Sequence, residues 1–173
     1  MHLLTAPTPA CAQETPRPWV FLAGGITNCP LWQEDAIHRL AGERGTLFNP
    51  RRENFPINDP NAAPAQIEWE FRRLNQADIF TIWFSNSPTD QPICFYELGR
   101  HLALSQMTRT EFGDHRPCVV GCERGWKRII DVIEQTRLAM GPDFPIHITL
   151  GEYIEGVRQT IRAWHQKAYD AGE

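Results

Sequence analysis

The sequence predicts an α/β domain: a five-stranded parallel sheet with helices on both faces. Three observations predict it. Apolar runs of strand length, such as Trp19 to Ala23 and Asp78 to Phe84, alternate along the chain with stretches whose apolar residues recur at helical spacing. Gly and Pro clusters punctuate the junctions between them. The chain has 173 residues, of which 42% are hydrophobic and 22% charged, the size and usage of one core-forming domain.

The elements follow in order. Residues 1–17 (MHLLTAPTPACAQETPR) carry three prolines, with neither a basic leader nor a long apolar run, and are expected to form a flexible N-terminal arm before a single domain over 18–173. Trp19 to Ala23 is the first expected strand, ending in a tight Gly24-Gly25 turn. Pro30 to Arg44 reads as a helix, with acidic residues early and Arg44 late, as the helix dipole prefers. A short strand at Thr46 to Phe48 leads into RRENFPINDPNAAP, whose three prolines make it a long loop. Ala65 to Gln76 is helical, Asp78 to Phe84 a buried strand, and Pro92 opens a helix to about Gln106, since a first-turn N–H has no intrahelical partner to lose. Strand Pro117 to Gly121, helix Trp126 to Met140, strand Ile146 to Leu150 and helix Tyr153 to Ala168 complete the chain. This alternation suits a flavodoxin-like strand order, in which ligands bind beyond the carboxyl ends of the strands. Gly24-Gly25, Asn49 to Arg52, Ser85 to Gln91 and the loop Gly121 to Trp126 are therefore expected around one cleft.

Composition excludes several partners. Seventeen Lys and Arg against twenty-one Asp and Glu give a net charge of −4, with no basic footprint for a nucleic-acid polymer. No run of eighteen apolar residues suggests a membrane span. Five cysteines, an odd number, read as reduced thiols of a cytoplasmic protein, and Cys118 and Cys122 fall with Val120 on one strand face rather than at a metal. Gly24-Gly25 lacks the G-x-G-x-x-G spacing of a dinucleotide site, so no cofactor is expected.

Two carboxylates carry the candidate chemistry. In the helix Ala65 to Gln76, the stripe Ile67, Phe71 and Leu74 is expected to face the sheet, with Glu70 at its inner edge. Glu70 either pairs with Arg73 or Arg51 or aims into the cleft. In the next helix Cys94, Leu98, Leu102 and Ser105 share a face flanked by Glu97 and His101, and Glu97 lies one and a half turns from the N-terminus. Two carboxylates converging on one cleft is a recurring plan for cleaving a glycosidic bond.

FLAGG after the first strand, LNQADIFTIWF and YELGRHLAL resemble the nucleoside 2-deoxyribosyltransferase family over roughly residues 18–150, and FNPRR (Phe48 to Arg52) resembles an N-P-R-R-containing subgroup of it. The resemblance implies that Glu97 of Glu97-Leu98-Gly99 is a nucleophile forming a glycosyl ester. Glu70, eight residues before Asp78, would hold the sugar or relay a proton. It also implies transfer of a sugar from a nucleoside or nucleotide to a free nucleobase, in a homo-oligomer. Phe21 stands where transferases of the family carry a tyrosine, and Gln91 where its members carry serine or aspartate, with Asp90 beside it. The expected substrate-binding set is Phe21, Gly24, Gly25, Trp32, Asn49, Arg51, Arg52, Asp90 and Gln91. Arg51 and Arg52 either bind a phosphate or pair with Glu70 or Glu53. Trp32 either stacks on a base or packs in the core. Two alternatives compete with the transferase: a hydrolase cleaving nucleotides or NAD, by analogy with TIR-type domains, and a non-catalytic nucleotide-binding module.

Overall fold

A computed structural model describes residues 1–9, 12–112 and 116–170. One parallel sheet organises them, and every strand but one follows the expected alternation. Its strands are β1 (His2–Thr5), β2 (Trp19–Gly24), β3 (Thr46–Asn49), β4 (Ile79–Phe84), β5 (Cys118–Cys122) and β6 (Ile146–His147), in the spatial order β1-β3-β2-β4-β5-β6. Without β1, this is the flavodoxin-like order expected from sequence. The helices are α1 (Trp32–Leu40), α2 (Ala62–Gln76), α3 (Pro92–Phe112), α4 (Ile129–Met140) and α5 (Leu150–Asp170).

The sheet has six strands rather than five because the segment expected as a flexible arm supplies one. His2–Thr5 pairs with β3 from His2 opposite Thr46 to Thr5 opposite Asn49. Leu4 and Ala12 are buried, and the Trp69 indole N–H donates to the Thr8 carbonyl at 2.9 Å, so tertiary packing overrides the prolines. The strand expected at Ile146 to Leu150 stops at His147. There the Glu152 carboxylate accepts the Ile148 and Thr149 N–H groups while the Thr149 hydroxyl accepts the Glu152 N–H, a reciprocal cap that starts α5 early.

Alternate residues of each strand enter opposite cores. On one face Phe21, Ala23, Phe48, Phe80, Ile82, Phe84, Val120 and Cys122 pack under α2, α3 and α4. On the other Val20, Leu22, Leu47, Ile79, Trp83 and Val119 pack under α1 and α5. The expected inward stripe of α2 is corrected here. Ile67 and Phe71 are 64% and 52% exposed, whereas Gln66, Trp69, Arg73 and Leu74 are buried. The helix is rolled because Trp69 packs on Phe21 and Phe48, and the Arg73 guanidinium covers both the Phe48 and Trp69 rings.

Candidate active site

A cleft of about 350 Å³ opens beyond the carboxyl ends of β2 and β4, between the loops that follow them and the helices α2 and α3. Its floor is Phe21, Ala23, Gly24 and Gly25, and its walls include Pro50, Thr89, Gln91, Pro92, Ile93 and Cys94. Both candidate carboxylates, Glu70 and Glu97, line it.

The two glycines are required by the close approach of backbone. Gly24 has φ +145°, and a Cβ there would fall on the Trp83 carbonyl; at Gly25 it would lie 2.5 Å from Gln91 Oε1. Gln91 is held from the opposite side. Its Nε2 donates to the Ser85 carbonyl (2.9 Å) and the Ser87 hydroxyl (3.2 Å), and its backbone adopts φ +47°. The loop carrying it is anchored from below by Trp126, whose indole N–H donates to the Thr89 carbonyl at 3.2 Å. The loop Gly121 to Trp126 thus supports the cleft without lining it.

The rolled α2 turns Glu70 inward. Gln66, one turn earlier, donates from Nε2 both to the Pro50 carbonyl (2.6 Å) and to Glu70 Oε1 (2.7 Å). Sequence reasoning missed Gln66, although its i, i+4 spacing to Glu70 is a legible signal. Burial pushes the Glu70 carboxyl up from its ordinary range, opposed by this hydrogen bond, and no arginine contributes to its titration. Glu97 is 9% exposed and accepts no hydrogen bond among the described residues. Burial and the Glu70 charge push it up to about 8. Two acids whose environments separate their proton affinities divide acid and base work between them.

This shift has a consequence for stability. The folded state binds a proton at Glu97 that the unfolded chain, with an ordinary carboxyl near 4.5, has released. Stability from this group is therefore fully present below about pH 4.5 and lost as pH rises towards 8. Glu97→Gln removes that loss. Between about pH 5 and about pH 9 the stability difference should swing in favour of the variant by on the order of 4 kcal/mol, at about 1.4 kcal/mol per pH unit. Denaturant unfolding at a series of pH values checks this, and a constant difference would contradict the shift.

The remaining expected binding residues are placed elsewhere. Trp32 is 2% exposed, donates its indole N–H to the Gly25 carbonyl (3.0 Å) and packs edge-on against Tyr153, so it supports the glycine turn from the core and offers no face to a base. Asn49 folds back on its own chain, accepting the Arg51 N–H and donating to the Arg51 carbonyl. Arg51 reaches across to the turn after β2. Its Nε donates to Gln33 (2.8 Å) and its Nη2 lies within 3.4 Å of the carbonyls of Gly25, Ile26, Cys29 and Pro30. Arg52 lies over the Phe55 ring at 5.4 Å, in the groove beside β1 and α1. Asp90 points outward to Lys127 at 2.7 Å. Neither arginine pairs with Glu70, and neither lines the cleft.

Arg51→Ala should therefore loosen the wall formed by residues 25–30 and lower stability by about 2–3 kcal/mol, because several carbonyls lose a charged donor. Arg52→Ala should change stability by no more than about 0.5 kcal/mol. Thermal melts check the pair.

Among the described residues no helix is long and apolar enough to cross a membrane. Cys29, Cys94, Cys118 and Cys122 are free thiols; Cys11 lies outside the described residues. Burial and the neighbouring Glu97 charge raise the Cys94 thiol far above its ordinary range, which leaves it unreactive in the cleft wall.

No curated protein matches the sequence. A family model described as "Nucleoside 2-deoxyribosyltransferase like" matches residues 17–108, more than half of the chain, from just before β2 into α3. That span contains the glycine turn, Glu70 and Glu97, every element whose side chains line the cleft. The sheet order, the paired carboxylates and this match agree, and the chain belongs to the nucleoside 2-deoxyribosyltransferase-like family.

Proposed function

We propose that the protein cleaves the N-glycosidic bond of a nucleoside and transfers the sugar to a second nucleobase, through a glycosyl ester on Glu97. The observation that carries this reading is the placement of Glu70 and Glu97 in one cleft, close enough that the Glu70 charge displaces the Glu97 titration. A Glu97 oxygen forms a bond to the anomeric carbon as the carbon–nitrogen bond breaks. The electron pair leaves with the base nitrogen, which takes up a proton. Glu97 must be ionised to attack, and the proton it gives up passes through Glu70 to the departing base. A second base, or water, then attacks the anomeric carbon, passing its proton to Glu70 as the carbon–oxygen bond of the ester breaks and Glu97 is released.

Phe21 places no hydroxyl in the cleft floor, so nothing there holds Glu97 ionised before substrate binds. The build-up of positive charge on the sugar supplies that stabilisation instead. The alternative of an NAD or nucleotide glycosidase, by analogy with TIR-type domains, is less well supported, since Arg51 and Arg52, which could have met a pyrophosphate, are committed elsewhere. The proposal includes a homo-oligomer, supported by the exposed apolar residues Ile67 and Phe71 on α2 and Ile93 and Tyr96 on α3, and a cytoplasmic location, supported by the free thiols Cys29, Cys94, Cys118 and Cys122.

Incubation with each deoxynucleoside, with nucleotides and with NAD, in the presence and absence of a different free base, tests the reading. Transfer predicts a new nucleoside only when the second base is present. Base release that ignores added base would instead indicate a hydrolase, and no release from any nucleoside, nucleotide or NAD would indicate a binding module.

A further inference from the structure

We propose that His101 is a positioning residue for Glu97: from behind the cleft, its Nε2–H donates to the ionised Glu97 carboxylate and leaves the other carboxylate oxygen facing the sugar. This rests on the reading of Glu97 as the nucleophile, and it concerns what holds that group rather than what it attacks.

Glu97 and His101 are four residues apart on α3, so they share a face with their Cβ atoms about 5–6 Å apart. His101 is fully buried, and its ring stacks on Phe80 with the centroids 4.6 Å apart. Phe80 lies in β4 directly opposite Phe21 of β2, and Phe21 belongs to the cleft floor. His101 therefore stands immediately behind the cleft without lining it. A second contact fixes how the ring is turned. Arg116 Nη1 donates to His101 Nδ1 at 3.0 Å, and Nη2 of the same guanidinium donates to the Leu74 carbonyl at 2.7 Å. Leu74 shortly precedes β4 and Arg116 shortly precedes β5, so both lie at the amino end of the sheet, away from the cleft. Helical side chains lean towards the N-terminus of their helix, and with Nδ1 turned to Arg116 the other ring nitrogen faces the turn that carries Glu97.

The two groups are chemically complementary. A guanidinium only donates, so Nδ1 accepts and the single proton of the neutral ring sits on Nε2. Burial, with the Arg116 and Arg100 charges, pulls the proton affinity of the ring down to about 3, so it stays a neutral donor through the neutral pH range. Nε2 is buried and has no hydrogen-bond partner among the described residues, a costly condition that folds seldom keep without use. Glu97 accepts no hydrogen bond either. The titratable groups that face the pair are Glu70 from α2 and the Cys94 thiol beside Glu97, and Arg100 and Arg116 beside His101. None of them donates to Glu97. Once Glu97 ionises, the waiting N–H gains a charged acceptor, and such a bond is about twice as strong as one between neutral groups. It adds, from the rear, to the stabilisation that the developing sugar charge supplies from the front.

Nitrogen-15 NMR of the full chain labelled at histidine tests the bond without substrate. The Nε2–H signal of His101, assigned through its contact with the Phe80 ring, should move downfield as Glu97 titrates and stay fixed over the same pH range in Glu97→Gln. Two substitutions then divide the roles of the ring, because a Gln amide nitrogen takes the place of Nε2 and an Asn amide oxygen that of Nδ1. His101→Gln should keep most of the wild-type kcat while losing stability with the Arg116 contact. His101→Asn should be the more stable of the two, yet lower kcat about ten- to a hundredfold, the effect of one charge-assisted hydrogen bond, with KM nearly unchanged. A Nε2–H signal that ignores Glu97, or activity that follows stability so that the Asn variant outperforms the Gln variant, would overturn the proposal. A signal that follows Glu97 in a protein that cleaves no nucleoside would support the bond and reject the glycosyl-transfer reading separately.

Discussion

Glu97→Ala should lower base release by about 10⁴ to 10⁶ while the protein stays folded, because a nucleophile acting with its partners typically contributes that much to the rate. The fold should survive for a local reason. The carboxyl accepts no hydrogen bond among the described residues, and its burial raises its proton affinity, so removing it leaves no partner stranded. Glu97→Gln should fail equally, since an amide cannot form the ester. Single-turnover release of base, with circular dichroism to check the fold, measures both. More than a tenth of wild-type turnover in either variant would reject Glu97 as the nucleophile.

Glu70→Gln should slow cleavage by about 10² to 10⁴ with a smaller effect on substrate binding, the range typical of lost acid–base assistance. It should also move the pH profile in a defined direction. In the free enzyme the pair carries one proton until Glu97 loses it at about 8, so kcat/KM should fall above that value as the proton destined for the departing base is lost. In Glu70→Gln the relay is gone, so this fall should disappear and the residual rate should instead rise as Glu97 ionises. A variant with wild-type turnover and an unshifted profile would leave Glu70 only a positional role beside Gln66.

The elements that carry the site were legible because their signals are local. Gly24-Gly25 after an apolar run, Pro92 at a helix start and the continuous run of β4 each specify their own backbone. Glu97 was legible for the same reason, lying beside Cys94, Leu98 and Leu102 on a face that is buried as expected. The orientation of α2 was not. Counting apolar residues selects Ile67 and Phe71, yet the inward face carries Gln66, Glu70 and Arg73, whose polar groups find partners in the cleft or on aromatic rings. A helix that supplies a polar site buries polarity, so its amphipathic pattern points the wrong way. The strand His2–Thr5 was illegible because four residues near prolines carry little signal, and its formation depends on the edge offered by β3. The adjacent Arg51 and Arg52 read in sequence as a shared phosphate contact or as ion-pair partners of Glu70 or Glu53, while the structure sends them into different surroundings.

Rapid-quench mass measurement of the intact wild-type protein mixed with a deoxynucleoside it cleaves, followed by peptide mapping, tests the covalent step on Glu97 directly. A protein species heavier by one deoxyribosyl group is expected, formed as fast as base appears, carried on Glu97 and discharged when a second base is added. Base release with no such species, or with the sugar attached at Glu70 or any other residue, would contradict it.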